Sequence, residues 1–513
     1  MSAIPIPPQP ASAARDSVAK RPTAYPLQHV FWQIGLVAAA IGGTILSSPL
    51  AFVSILVLFL CMGLLWRRGE PALAWCIAYQ WLFVAAGHAY WLMTGQFPDS
   101  HNPRELETAV WLSLLGLLVM SIGIRAALSV MGRRTKILPG EADTITHYSI
   151  PKLCAAAIVL SSIDWMVHIS PMTMFFGGAQ IIYRLLEFRG ILFFLLLLAA
   201  LRQRRGYGYC AAAAVFLWLP SLSSPMSSFS GVFITVLLAL ACEWRPWSSG
   251  LLEKVVARRR FNALVAVSIV LGVLAIGWSG AVKGPWRERV LSGEVSRETV
   301  TAAGEFMQTA HTYVPRMEWD DGVRALCQRL SSGLGYFSIV LDRVPRLLPH
   351  EDGALSMRAV EHAMKPRLLF PDKPILESSS WQIRRYADEW VAGGESNTSI
   401  GLGYMAEFYI DFGALGMFVP LFLYGGLVGL LYRGLRLVTS SYDFFRAATV
   451  AVLLQHFSGY EGELVKNLGG MLQAFIIFGL AMALAGRWMH RSFAKSPVRW
   501  RSLNGRQREG AVQ

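Results

Sequence analysis

The sequence predicts an all-α, polytopic membrane protein of about twelve transmembrane helices, with a large helical outer loop late in the chain. Three observations predict this. Of 513 residues, 54% are apolar and 16% charged, where a soluble chain carries about 25% charged residues; mean hydropathy is +0.42. The apolar residues fall in repeated runs of about 17 to 23, long enough to cross a bilayer as helices. Short basic clusters follow every second run, as the positive-inside rule requires of loops on one side of a membrane.

Residues 1–28 are rich in Pro, Ala and Ser and predict a disordered N-terminal segment on the cytoplasmic side. The run from Val30 has a signal peptide's hydropathy but no convincing cleavage site, and further spans follow, so it reads as the first anchor. Membrane helices are expected at 30–46, 49–66, 71–93, 108–130, 150–170, 189–201, 207–221, 229–243 and 262–282, which together make residues 30–282 the first nine spans. Residues 283–399 form the outer loop. Residues 400–487 combine a re-entrant segment with spans at 413–432, 443–458 and 469–487, and residues 488–513 are a basic cytoplasmic tail. The even-numbered exits carry Arg67 and Arg68; Arg133, Arg134 and Lys136; Arg202, Arg204 and Arg205; Arg245, Lys254 and Arg258; Arg433 and Arg436. Both termini are therefore expected to be cytoplasmic. The long loop does not disturb the alternation, because large domains translocate regardless of charge.

The net charge of +14 does not mark a nucleic-acid partner, since the excess lies beside apolar runs rather than on one face. Of six cysteines, only Cys327 lies in a long polar loop, which excludes a disulfide framework. No spacing for a metal site, nucleotide-binding glycine loop or lipidation signal is present, so neither a metal nor a cofactor is expected. In the outer loop arginine outnumbers lysine twelve to three, a bias that suits forked recognition of phosphate or carboxylate, or simply a solvated cap.

Candidate chemistry concentrates between Pro366 and Gly416. The stretch reads P-R-L-L-F-P-D-K-P, then a polar run, then S-N-T-S-I-G-L-G-Y-M-A-E-F-Y-I-D-F-G-A-L-G. Irregular polar backbone that runs into an apolar span is tolerated where it lines a cavity. Glu407 lies just before the span, where an unpaired carboxylate is costly; it suits a general base or a helix-start residue. Asp411 is one turn later on the same face and either joins it or caps the span. Arg367 and Lys373 flank the F-P-D-K-P turn, either facing an anion or held in a surface salt bridge, for instance with Asp372. Arg287 and Arg289 emerge from the ninth span at the depth of lipid phosphates, and Arg184 and Arg189 precede the sixth. Asp164 and His168 share a face of the fifth span and imply a partner or a wet cavity. Trp381, Tyr386 and Trp390 are spaced either to stack on sugars or to pack a helix. His456, Glu461, Glu463 and Lys466 form a compact polar set in the last outer loop.

This order of features resembles the bacterial oligosaccharide repeat-unit polymerases (O-antigen polymerase, Wzy type). The positions that match are Pro366, Arg367, Pro371, Lys373, Pro374, Ser396, Thr398, Gly401, Glu407, Tyr409, Phe412, Gly413 and Gly416. The motifs cover the last 150 or so residues; the first 260 match as a pattern of spans. The resemblance implies glycosyl transfer at the periplasmic face of the bacterial inner membrane. A glycan on undecaprenyl pyrophosphate would pass to a new lipid-linked repeat unit, building O-antigen, capsule or exopolysaccharide. The implied partners are those lipid-linked oligosaccharides, membrane lipid and a chain-length-regulating membrane protein.

Under that implication Glu407, with Asp411, is the base for the acceptor hydroxyl. Arg367, Lys373, Arg287 and Arg184 hold the pyrophosphate, whose leaving charge needs fixed cations. Ser396, Thr398, Tyr409 and Trp381 are the sugar or acceptor contacts. Two alternatives use the same features: an O-antigen ligase-type transferase, which delivers the glycan to a different acceptor, and a non-enzymatic glycolipid flippase or transporter, for which Asp164 and His168 would form a proton relay.

Overall fold

The computed structural model describes residues 25–66, 71–97, 105–130, 148–169, 179–222, 230–243, 251–294, 299–365, 370, 372–373, 379–393, 399–438, 456–457 and 459–494. Among them the chain is helical throughout, with no strand and a single backbone bridge, Tyr148 to Ala494. The helices of the first half are α1 (Tyr25–Ile45), α2 (Pro49–Trp66), α3 (Pro71–Thr94), α4 (Leu106–Val130), α5 (Ile150–Ile169), α6 (Ala179–Leu186), α7 (Phe188–Gln203), α8 (Tyr207–Leu222) and α9 (Ser230–Glu243). Then come α10 (Leu251–Gly277), which passes through a π turn (Trp278–Val282) into α11 (Lys283–Leu291), and α12 (Thr299–Tyr313), α13 (Trp319–Arg343) and α14 (Ala354–Met364). A short α15 (Ser380–Gln382) precedes α16 (Tyr404–Gly416), α17 (Phe418–Val438) and α18 (Leu464–Phe493).

Seven helical segments among the described residues are long and apolar enough to cross a membrane: Pro49–Trp66, Ala72–Thr94, Leu106–Val130, Ile150–Val167, Val265–Val290, Phe418–Leu435 and Leu464–Gly486. The protein is a membrane protein on that ground. Shorter apolar helices lie at Trp32–Ile45, Tyr207–Trp218 and Gly231–Glu243. Of the expected eleventh run, residues 443–455 lie outside the described residues.

Among the boundaries that differ from expectation, three have a local reason. The tenth run begins at Phe418 rather than 413, because Gly413 (φ 70, ψ −176) breaks the helix. That backbone region is open essentially to glycine alone. The last helix continues to Phe493, six residues into the segment expected as tail, with His490 and Arg491 in its last turn, where basic side chains favour a helix C-terminus. The helix expected at 262 starts at Leu251, so the basic run before the span is helical too.

Two apolar clusters hold the bundle. One joins α2, α3, α4, α13, α16, α17 and the start of α18; the other surrounds α7 with α5, α8, α9 and α18. Residues 191–200 of α7 are all buried, as a helix that is apolar on every side must be. Helices α4 and α17 approach closely. A Cβ at Gly425 would stand 2.2 Å from the Met120 carbonyl oxygen, and one at Gly123 2.2 Å from that of Phe422. Only a missing side chain permits such an approach, which is how small residues draw membrane helices together. Helix α13 buries Leu334, Phe337 and Val340 against this half of the bundle.

Candidate functional site

Helix α16 lies outside the candidate spans and carries both predicted carboxylates inward; Glu407 is 2% exposed and Asp411 1%. Each faces the start of another helix. Glu407 Oε2 accepts the Leu464 N–H at 3.1 Å, the first residue of α18. Asp411 accepts the N–H of Leu355 at 3.0 Å, that of Ser356 at 2.7 Å and the Ser356 hydroxyl at 2.5 Å, at the start of α14. These are the donors a helix leaves unpaired in its first turn. The two carboxylates differ in what remains. Asp411 is fully engaged, whereas Glu407 Oε1 is buried with no hydrogen bond of ordinary length among the described residues, the Gln382 side chain acting on the carboxylate from farther off. Burial pushes the Glu407 carboxyl well above the usual carboxylate range, and the charge of Glu463 adds to this; the Leu464 N–H and the Gln382 side chain oppose it.

Residues 459–467 close over this helix. Two glycines make room for them: a Cβ at Gly401 would meet the Glu461 carbonyl oxygen at 2.4 Å, and Gly403 (φ +94) lies against that of Tyr460. The G-x-G of Gly401–Gly403 therefore serves close backbone approach. The Gly462 carbonyl accepts the Tyr404 N–H at 3.0 Å and the Asn467 amide at 3.2 Å. Lys466 donates to Ser379 and, at 2.6 Å, to Ser399, and lies 3.4 Å from Glu463. The polar set of Glu461, Glu463 and Lys466 is thus joined to the stretch that carries Glu407.

A group of cations meets the same segment. Glu461 pairs with Arg329 of α13 and accepts the Ser332 hydroxyl at 2.5 Å. Lys283 feels the charges of Arg329, Arg287 and Glu461, so these cations lie in one neighbourhood, with Arg329 the one paired directly to Glu461. Lys283 and Arg287 come from the end of the Val265–Val290 span. Arg329 and Lys283 are absent from the sequence-derived candidates. Arg329 lies on an amphipathic helix whose polar positions look alike, and only its place beside Glu461 distinguishes it.

The other candidates lie elsewhere or are engaged. Arg184 donates to Glu187 at 2.6 Å and meets His456 at 3.0 Å. Arg189 pairs with the buried Asp164, while Arg289 donates to Thr309 at 2.9 Å. Lys373 donates to the His362 carbonyl, at the opposite end of α14 from Asp411. Tyr409 is buried and its hydroxyl donates to Val344 O at 2.8 Å. Trp381 is covered by Arg358, 5.6 Å from its ring centre, and packs near Tyr386. Tyr386 is core, whereas Trp390 is 78% exposed, with Arg384 5.5 Å above it. Arg367, Ser396, Thr398 and the His168 side chain lie outside the described residues. Among the described residues no three His, Cys, Asp or Glu side chains converge as metal ligands.

The model of a domain family described as a domain of unknown function (DUF8712) matches residues 136–457, more than half of the chain. The chain belongs to this family. The matched region includes Lys283, Arg287, Arg329, Glu407 and Asp411 and ends just before Glu461. No curated protein and no solved structure matches the chain.

Proposed function

We propose that this DUF8712 protein is an integral-membrane glycosyltransferase that polymerises oligosaccharide repeat units carried on undecaprenyl pyrophosphate. One observation carries the reading. Arg329 pairs with Glu461 in a neighbourhood it shares with Lys283 and Arg287 from the end of a candidate span, and residues 461–464 link that group to the buried carboxylate of Glu407.

The chemistry assigns each part. The acceptor sugar hydroxyl attacks the anomeric carbon of the donor. The bond from that carbon to the pyrophosphate oxygen breaks, and the electron pair leaves on the pyrophosphate. The three cations stabilise that charge in fixed positions, the preorganised effect that dominates such reactions. Glu407 takes the hydroxyl proton through Oε1, and its raised pKa makes the ionised form a stronger base than an ordinary carboxylate. Asp411 holds α14 in place. Arg367, Ser396 and Thr398 keep the phosphate and sugar contacts that the resemblance implies.

The proposal includes a topology of about twelve crossings in the bacterial inner membrane, with both termini cytoplasmic and the site on the periplasmic side. The test is glycan profiling of cells that lack the protein, with and without complementation. A single repeat unit in the deletion strain and a ladder on complementation support polymerisation. Long polymer retained on undecaprenyl pyrophosphate favours ligation instead, and repeat units held at the cytoplasmic face favour transport.

A further inference from the structure

Helix α14 has 11 residues, too few to cross a bilayer, yet it presents an apolar stripe to the outside. Its Leu355 and Ala359 are buried in the cluster shared with Leu464 and Leu468 of α18. On another face, Met357 (68% exposed), Val360 and Met364 (66%) stand at spacings of three and four, which makes them one line along the helix. Beside it runs a second line, Arg358, Glu361 and Lys365, also exposed. Each charged residue follows an apolar one in the chain, so the two stripes are parallel and about a quarter-turn apart. A helix with a core face, an apolar face and a charged face between them and solvent suits the boundary between acyl chains and water.

The apolar stripe also continues onto the exposed side of a candidate span. The Phe412 ring lies 3.2 Å from where a Cβ at Gly353 would stand, at the head of α14. From Phe412 the exposed apolar surface passes to Leu415 (86%) at the end of α16 and to Val419 and Leu423, four apart on α17. Residues Phe418–Leu435 are a candidate span, so the outward side of that line faces lipid. Leu347 before α14 and Phe370 after it are exposed apolar residues of the same region.

We propose that α14 is an in-plane interfacial helix. Met357, Val360 and Met364 are immersed in the acyl boundary of the leaflet where α17 and α18 begin, and Arg358, Glu361 and Lys365 stand at headgroup level. The unbranched methionines fit a fluid surface, to which they adapt readily. Because Asp411 fastens the start of α14 to α16, the lipid surface then sets the height of the helix that carries Glu407. This inference is independent of the reaction proposed above, and it concerns lipid rather than any substrate.

The test uses the full chain in phosphatidylcholine–phosphatidylglycerol vesicles. Single cysteines replace Met357, Val360, Met364 or Glu361 and carry a fluorescent label, with the signal of the unsubstituted chain subtracted. A nitroxide borne on the acyl chains is expected to quench labels at 357, 360 and 364 several-fold more than at 361, and aqueous iodide the reverse. Equal quenching by iodide at all four positions overturns the proposal by placing the stripe in water. Protection from both quenchers also overturns it, because a protein surface then covers the stripe. A second measurement needs no substitution: a carbene reagent dissolved in the bilayer should modify the 354–364 peptide of the wild-type chain. Modification of α17 peptides without modification of 354–364 refutes the assignment.

Discussion

Glu407 and Asp411 show how two like residues, one turn apart, come to do different work. Both were legible in the sequence, because a carboxylate beside an apolar run is costly and needs a reason. Which of them keeps an open oxygen was not legible, since it depends on Leu464 and Ser356, each more than fifty residues away in the chain. Asp411→Ala leaves the donors of Leu355 and Ser356 unpaired, and loss of a helix cap costs about 1–2 kcal/mol. The expected outcome is a lower thermal midpoint in detergent, partly restored in Asp411→Asn, whose amide oxygen still accepts. For Glu407 the direction of pH dependence follows from its burial. Its raised pKa keeps the carboxyl neutral, and the folded state favoured, at low pH; that contribution is lost as pH rises through the raised value. Proton acceptance runs the other way and requires the charged form. Glu407→Gln, neutral and of equal size, removes both dependences together.

At the scale of elements, hydropathy located the helices well, because a run long enough to span can bury its backbone only as a helix. It did not locate their partners. The contact of α4 with α17 rests on glycines that are invisible to a hydropathy window. Gly425→Leu places carbon atoms inside the space of the Met120 carbonyl, and overpacking of this kind costs about 1–3 kcal/mol or more. Reduced folded protein in membranes and a lower thermal midpoint are the expected results, while Leu423→Ala, on the exposed side of α17, should leave both close to wild type. Gly413 misled the reading for a related reason. A glycine within apolar residues scores as helix interior, whereas its positive φ bends the chain before the span begins.

For the molecule as a whole, the site is an assembly of distant segments. Arg329 and Glu461 are 132 positions apart, and Ser379 and Lys466 are 87 apart. Sequence spacing carries no information about such meetings, so the acidic stretch and the late polar loop were each recognisable while their union was not. Lys373 and Arg184 show the converse: they matched the expected chemistry by type and position, and the fold gives them a helix C-terminus and Glu187 as partners.

The central claim is that the buried carboxylate of Glu407 works with the nearby cations in glycosyl transfer. Its most direct test is the glycan ladder of cells in which Glu407→Gln replaces the wild-type chain at matched membrane abundance. The account predicts a normally folded protein and a product that stops at a single repeat unit. A full-length ladder from that variant contradicts it and leaves Glu407 as a residue that caps α18.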